Sequence, residues 1–248
     1  MSAEKIIGFI ALNFISIIIY SVLRGRALKL PNLANVKHSF FRAMPFDSER
    51  KSIVIAGMGH PKNNTFDYNF SEEQSIEGVI ADLKKRGFSE MISLDDQFED
   101  KVTEGWNDST HNLYKIFVND YDRLTFDQSL ELLRIVKKAS ANNKSLVIHC
   151  GEGSGRTGSA LATIRLMVLI QKKIDNGSLD TTNPSEGGKI YLGRCEQTIK
   201  TTYLVQEAID YVRSLPNSGV SVETVEQVEM LQRVEAYLTE NKNQRKGC

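Results

Sequence analysis

The stretch Leu146-Val147-Ile148-His149-Cys150-Gly151-Glu152-Gly153-Ser154-Gly155-Arg156-Thr157-Gly158-Ser159 indicates the fold more clearly than any other part of the sequence. It begins with a continuous apolar run, which is typical of a strand buried on both faces of a sheet. A glycine-rich turn follows, and the apolar segment 161–170 then predicts a buried helix. The sequence therefore predicts a strand, a loop and a helix in direct succession.

The loop between this strand and this helix is suited to binding an anion. Its glycines allow backbone conformations closed to other residues, so successive N–H groups can face one cavity at the helix N-terminus. Cys150 stands at the entry, where the field that attracts phosphate also stabilises a thiolate. The planar guanidinium of Arg156 can bind two phosphate oxygens at once. The loop thus combines a nucleophile, an oxyanion cradle and a bidentate cation, which together suffice for phosphoryl transfer.

The segment from His149 to Gly158 resembles the His-Cys-x5-Arg-Ser/Thr signature of the protein tyrosine and dual-specificity phosphatase superfamily. The resemblance implies a phosphoric monoester hydrolase with a phosphocysteine intermediate at Cys150 and without a metal or another cofactor. It implies that Thr157 donates a hydrogen bond to the departing thiolate and that His149 orients the loop from below. The phosphate-binding residues would be those of the loop itself: Gly151, Glu152, Gly153, Ser154, Gly155 and Arg156.

Other loops share parts of this pattern. A nucleotide-binding P-loop requires Gly and Lys where this chain has Cys150 and Arg156. An inactive phosphate-binding loop, a sulfur-transfer loop and an arsenate-reducing loop share the Cys-x5-Arg spacing and stay open as alternatives. Of these, the inactive phosphate-binding adaptor is the main alternative to an enzyme.

The proton donor for the leaving group is expected on a loop before the cysteine. By the same resemblance it is an aspartate between a strand and a capped helix, roughly thirty residues upstream of Cys150. The sequence Asn119-Asp120-Tyr121-Asp122-Arg123-Leu124-Thr125 is similar to that loop, with Leu124 in place of a proline. Asp120 matches the pattern best and Asp122 is the second candidate. A turn before a helix explains aspartates here as well.

A second loop near the C-terminus also resembles the family. Val222-Glu223-Thr224-Val225-Glu226-Gln227 is similar to the late loop in which classical tyrosine phosphatases hold the hydrolytic water with a glutamine. Gln227 falls on a glutamine of that pattern, whereas the position credited with placing water matches Glu223. A helix start with Thr224 as N-cap explains the same residues. Both interpretations stay open.

The rest of the chain alternates short apolar strands with helical patterns. We therefore predict an α/β fold of protein tyrosine phosphatase type, with a central, mainly parallel sheet flanked by helices and an N-terminal apolar helix. The sequence further predicts a loop at 176–194 and helices at 196–214 and 222–240. The expected organisation is an apolar N-terminal segment at 1–30, a linker at 31–51, the phosphatase domain at 52–240 and a tail at 241–248.

The apolar segment at residues 6–23 is expected to be a membrane anchor. As a helix it would be about 27 Å long at ~1.5 Å per residue, close to the ~30 Å core of a bilayer. Arg24, Arg26 and Lys29 follow it, which places the C-terminal domain in the cytoplasm if the helix spans as a single pass. A helix buried against the domain and a targeting peptide are the alternatives, and the former corresponds to a soluble cytoplasmic protein.

Composition narrows the classes of partner. Lys plus Arg equals Asp plus Glu at 31 each, so charge gives no case for nucleic acid. The 3 cysteines are widely spaced, which suggests neither a disulfide framework nor a metal site. Glu152 and the acidic stretch 95–108 would repel a polyphosphorylated ring. The sequence thus favours phosphoprotein substrates of tyrosine or dual specificity, with phosphoinositides, inositol phosphates or other phosphorylated small molecules as the alternative.

Overall fold

The structure, a computed structural model, describes residue 31 and residues 42–48, 51–61, 75–96, 99–179, 186–192, 197–216 and 221–245. The strands are β1 (Arg42–Ser48), β2 (Lys51–Met58), β3 (Phe88–Ser93), β4 (Asn112–Lys115), β5 (Ser145–His149), β6 (Glu186–Leu192) and β7 (Gln197–Thr202). The helices are α1 (Ile76–Arg86), α2 (Glu99–Trp106), α3 (Phe126–Ala141), α4 (Gly155–Asp175), α5 (Tyr203–Ser214) and α6 (Val225–Arg245).

The central sheet has five strands in the order β1-β2-β5-β3-β4. The strand β1 pairs antiparallel with β2, and the pairings of β2 with β5, β5 with β3, and β3 with β4 are parallel. The strand β5 is therefore central, and all 5 of its residues are buried, as its continuous apolar run predicts. The predicted α/β fold with helices around the sheet is confirmed, and the sheet is mixed.

Helices cover both faces of this sheet because side chains alternate along each strand. Ile53, Ile55, Leu146 and Ile148 face the larger core, which the buried apolar residues of α3, α4, α5 and α6 complete. The intervening side chains face a smaller core with α1, α2 and the fully buried Trp106. The helix α4 is buried along most of its first 16 residues, so the loop that precedes it is held between the sheet and a well-packed helix.

Two regions differ from the sequence-based expectation. Residues 31–51 are predicted to be a linker, but Arg42–Ser48 forms an edge strand that pairs along its whole length with β2. Residues 186–202 are predicted to be a loop followed by a helix, but they form the antiparallel pair β6–β7. In both regions the segment is a strand because it pairs with another strand. The periodicity of a single segment does not reveal such a pairing, so the sequence does not predict these strands.

The ends of the chain bear on the predicted anchor and tail. The helix predicted at residues 6–23 lies outside the described residues. Among those that are described, no helix combines the length and the apolar character that crossing a bilayer requires. At the other end, α6 continues to Arg245, beyond the predicted domain boundary at residue 240.

Candidate functional site

The loop between β5 and α4 forms the candidate site. Cys150 follows the last residue of β5 and is 2% exposed, and its sulfur accepts a hydrogen bond from the N–H of Gly153 at 3.2 Å. The helix α4 begins at Gly155, and the side chain of its N-cap residue, Ser154, does not cap it. That hydroxyl instead donates to Glu223 Oε1 at 3.1 Å. The sulfur therefore lies at the positive end of a helix, where an anion is stabilised.

Gly153 allows the loop to lie directly against the end of β2. Its φ of +88° belongs to the region that L-residues avoid. A Cβ at this position would lie 2.4 Å from the nitrogen of Gly59 and 2.6 Å from the carbonyl carbon of Met58. The N–H of His60 donates to the carbonyl of Gly151 at 2.8 Å and closes the same contact. The loop can therefore keep this position only with glycine at 153.

Arg156 lies in the first turn of α4 and is 6% exposed. Its Nη1 donates to the carbonyl of Val118 at 2.8 Å and to that of Leu94 at 3.4 Å. Its Nη2 pairs with Asp120 Oδ1 at 3.0 Å and with Asp95 Oδ2 at 3.5 Å. These partners follow β3 and β4, so the guanidinium joins the carboxyl ends of three neighbouring strands at one point.

The structure separates the two candidate acids. The carboxylate of Asp120 is 61% exposed and pairs with Arg156, which brings it to the phosphate-binding loop. Asp122 instead accepts the N–H of Arg123 on its carboxylate at 2.8 Å, and its carbonyl accepts from Gln227 at 3.2 Å. Between the two aspartates, Tyr121 has a φ of 63°, which turns the chain sharply. The geometry thus places Asp120, rather than Asp122, on the arginine of the loop.

Gln227 fits the helix-start interpretation of the late loop, and the role in holding the hydrolytic water stays a prediction. Its N–H donates to Thr224 Oγ1 at 3.3 Å, as the third residue after an N-cap does. Its side chain accepts from the N–H of Glu223 at 2.7 Å and donates to the carbonyl of Asp122 at 3.2 Å. Because Glu223 contacts Ser154, this buried glutamine connects the phosphate-binding loop with the aspartate loop.

His149 and Thr157 lie beneath the loop. His149 is 1% exposed, and its burial lowers its pKa to about 3, with the neighbouring His60 as a second cause. It is therefore neutral at physiological pH, and its ring meets the ring of His60 edge-on at 5.3 Å. The hydroxyl of Thr157 is buried and donates to the carbonyl of Met58 at 3.5 Å. Its predicted bond to the departing thiolate remains a prediction.

Two residues of the site were not among those that the sequence pattern selects. Asp95 is 5% exposed beside Arg156, and the sequence places it directly after a predicted strand, at the start of an acidic stretch. Arg42 is 1% exposed and donates to the carbonyl of Ser154 at 3.4 Å, but it falls in the predicted linker. In the described ranges, no cluster of three or more His, Cys, Asp or Glu side chains is arranged to hold a metal ion.

Comparison with known proteins places this geometry in a family. Residues 56–169 match the family model "Tc-R-P: Polymorphic toxin system, DSP-PTPase phosphatase". The matched residues include Asp120 and the loop from Cys150 to Arg156. Residues 56–169 therefore form a phosphatase domain of the dual-specificity and protein tyrosine type. It is a phosphatase of the tyrosine or dual-specificity type, which confirms the family resemblance drawn from the loop sequence.

Solved structures support the fold of this phosphatase. It is similar to kinase associated phosphatase with its catalytic-site cysteine replaced by serine, at 14% identity, over 82% of this chain and 97% of that chain, with a TM-score of 0.54. It is also similar to PTPMT1 in complex with PI(5)P, at 11% identity, over 76% and 94% of the two chains, with a TM-score of 0.50. No curated protein matches the sequence.

Replacement of Gly153 tests the backbone geometry of the phosphatase loop. We expect Gly153→Ala to lower the free energy of unfolding by at least about 2–3 kcal/mol, because it adds an overlap with β2 to the cost of a positive φ. Gly177→Ala is the matched control, since its φ is +66° and no atom of the described residues lies within 4 Å of the added carbon. It should cost only about 1–2 kcal/mol. Chemical denaturation of the two variants measures both values, and equal losses would contradict the close approach.

Proposed function

We propose that this phosphatase hydrolyses phosphate monoesters through a thiolate at Cys150. The observation that carries the proposal is the hydrogen bond from the N–H of Gly153 to the Cys150 sulfur, at the N-terminus of α4. A thiolate in this position is stabilised by the backbone dipoles that would also bind the oxygens of a phosphate. Arg156, fixed by carbonyls at the ends of two strands, supplies the cation for the same oxygens.

The reaction proceeds in two steps. In the first, the Cys150 thiolate attacks phosphorus, a P–S bond forms, the ester P–O bond breaks, and Asp120 gives its proton to the leaving oxygen. In the second, water attacks phosphorus and loses its proton to the Asp120 carboxylate. The P–S bond then breaks, and the thiolate returns with a hydrogen bond from Thr157. The products are the free alcohol or phenol and inorganic phosphate. Gln227 supports the second step by holding the aspartate loop close to the phosphate-binding loop.

Asp120 is proposed as the acid because its carboxylate is both exposed and bound to Arg156. When a phosphate dianion binds the guanidinium, Asp120 is released beside the leaving group. Asp95 remains beneath the guanidinium, where Ser93 donates to its carbonyl at 2.7 Å. Asp95 is therefore suited to aiming Arg156 rather than to transferring a proton.

We propose singly phosphorylated proteins as the substrate class. Glu152 lies exposed on the loop and Asp95 lies beside it, so a second phosphate on the substrate would meet carboxylates. The alternative is a phosphoinositide, which the PI(5)P bound to PTPMT1 and the apolar segment at residues 6–23 both favour. A role in a polymorphic toxin system is a further proposal, and it rests on the description of the matched family alone.

We also propose that residues 6–23 anchor the chain in a membrane as a single pass, with the catalytic domain in the cytoplasm. The support is the sequence: a mostly apolar run of bilayer length, followed by Arg24, Arg26 and Lys29. Carbonate-washed membranes should retain the full-length chain and release a chain that begins at Asn32. Release of both chains would favour the soluble cytoplasmic alternative.

Asparagine at position 120 tests the proposed chemistry. With phenyl phosphate, whose leaving group needs a proton, we expect Asp120→Asn to lower kcat by about 10²–10⁴-fold. With p-nitrophenyl phosphate, whose leaving group departs as an anion, the loss should be much smaller. Both rates are measured on the full-length chain without added metal. A loss of equal size with the two esters would contradict proton donation by Asp120.

Two further variants complete this test. Asp122→Asn should retain the parental ratio of the two rates, because Arg156 pairs with the carboxylate of Asp120, whereas that of Asp122 accepts from the N–H of Arg123. Cys150→Ser should hydrolyse neither ester. Turnover by the serine variant would contradict the thiolate mechanism, and a folded parent without turnover would favour the phosphate-binding adaptor.

A further inference from the structure

Arg42 reaches the phosphate-binding loop from the edge of the sheet. It is the first residue of β1, which runs antiparallel to β2 and so begins at the carboxyl ends of β2 and β5. Its register partner is Gly57, and opposed residues of an antiparallel pair project from the same face. A Cβ on Gly57 would contact Thr157, so this face is the one that meets α4. Arg42 therefore extends along the sheet toward the start of α4, where its Nη2 donates to the carbonyl of Ser154.

The guanidinium of Arg42 is buried without a full set of acceptors. Its side chain carries five N–H donors, and among the described residues its Nε and Nη1 have no hydrogen-bond partner. Burial lowers the pKa of Arg42 to about 10, while attraction to Cys150 and, less strongly, to Glu223 opposes this change. Arg42 is thus a cation at neutral pH. A buried cation with unused donors costs stability unless a negative charge lies close by.

The Cys150 sulfur, as a thiolate, is a candidate for the negative charge close to Arg42, and the other charged groups around the loop bear on this. Charged and titratable side chains reach the loop from each element that ends there: Arg42 in β1, His60 after β2, Asp95 after β3, Asp120 after β4, His149 in β5, Glu152 in the loop, Arg156 in α4 and Glu223 before α6. Arg156 is already paired with two carboxylates. His149 is neutral. Among the described side chains that reach the loop, Arg42 is therefore the cation that remains to be shared between the sulfur and Glu223.

We propose that Arg42 is a positioning residue that stabilises Cys150 as a thiolate and fixes the Ser154 carbonyl behind the phosphate-binding loop. We assign Arg42 no contact with the substrate, because it is buried and donates to a carbonyl of the loop, whereas the phosphate oxygens would be bound by the loop N–H groups. The division of labour follows from this placement: Arg156 binds the transferring phosphoryl group, and Arg42 prepares the nucleophile. This inference rests on the proposed function, in which Cys150 is the nucleophile.

Alkylation of Cys150 as a function of pH tests the proposal on the full-length chain. Iodoacetamide reacts with the thiolate, and mass spectrometry of the Cys150 peptide separates its rate from those of Cys195 and Cys248. We expect Arg42→Gln to raise the midpoint of the rate–pH curve by about one pH unit, which is about tenfold less thiolate on the acid side. Arg42→Lys keeps the charge and should retain a midpoint near that of the parent. Arg134→Gln, which removes an exposed arginine of α3, is the matched control and should leave the midpoint unchanged.

A purely structural role for Arg42 predicts a different result. It would lower the thermal unfolding midpoint of Arg42→Gln and leave the alkylation midpoint of the folded protein unchanged, which would overturn the proposal. If Arg42→Gln does not fold, Glu223→Gln takes its place. Loss of this carboxylate leaves Arg42 to the sulfur and should lower the alkylation midpoint, and an unchanged or raised midpoint would contradict the proposal.

Turnover of an aryl phosphate in the same samples separates this inference from the proposed function. Turnover by the parent, together with an unshifted midpoint in folded Arg42→Gln, would overturn the role of Arg42 alone. If the parent does not turn over the ester but the alkylation midpoint of Arg42→Gln is shifted from that of the parent, the proposed function is overturned and the effect of Arg42 on the sulfur is supported.

Discussion

The geometry of the site depends on the buried guanidinium of Arg156. A charge at 6% exposure is tolerated only when it is paired and hydrogen-bonded, and here two carbonyls and two carboxylates meet that requirement. Those partners follow β3 and β4, whereas the arginine itself belongs to α4. The same contacts therefore position the aspartate loop relative to the cysteine. A phosphate that binds Arg156 has to displace one of these two carboxylates. In the proposed mechanism the displaced carboxylate is that of Asp120, so substrate binding releases it.

The charges of the site form two layers around the loop. On the substrate side, Arg156 is balanced by Asp95 and Asp120. Behind the loop, Arg42 donates to Ser154, and Glu223 accepts from the hydroxyl of the same residue. Gln227 connects the two layers, since it holds Glu223 on one side and the backbone of Asp122 on the other. Such a network fixes Cys150, Arg156 and Asp120 relative to one another, and in the proposed mechanism this reduces the cost of arranging them during the reaction.

The parts of the site that are predictable from sequence are those whose residues lie close together in the chain. Cys150 and Arg156 belong to one loop, and the buried strand before it and the apolar helix after it fix the place of that loop in the sheet. The loop of Asp120 also carries a local signal, because the capping box of Thr125 and Gln128 marks the start of the following helix. The parallel part of the sheet and its covering helices follow from the alternation of strand and helix patterns.

The parts that escape prediction depend on contacts between distant segments. The strand β1 has no period of its own, and its role follows from pairing with β2, so Arg42 could not be assigned to the site. The strand Gln197–Thr202 directly precedes the helical pattern of α5, and its pairing with β6 and the N-cap at Thr202 distinguish it from an extension of that helix. Asp95 falls in an acidic stretch, and its burial follows from the arginine that approaches it from α4. For Gln227, capping and site contacts coexist, which no local pattern separates.

The most direct measurement is to trap the covalent intermediate. The full-length chain is mixed with a ³²P-labelled aryl phosphate, quenched within milliseconds and digested, and the labelled peptide is identified by mass spectrometry. A thiolate mechanism predicts label on the peptide that contains Cys150, and more of it in Asp120→Asn if hydrolysis of the intermediate becomes the slow step. Turnover of the substrate without label at Cys150, or with label on another residue, would contradict the account.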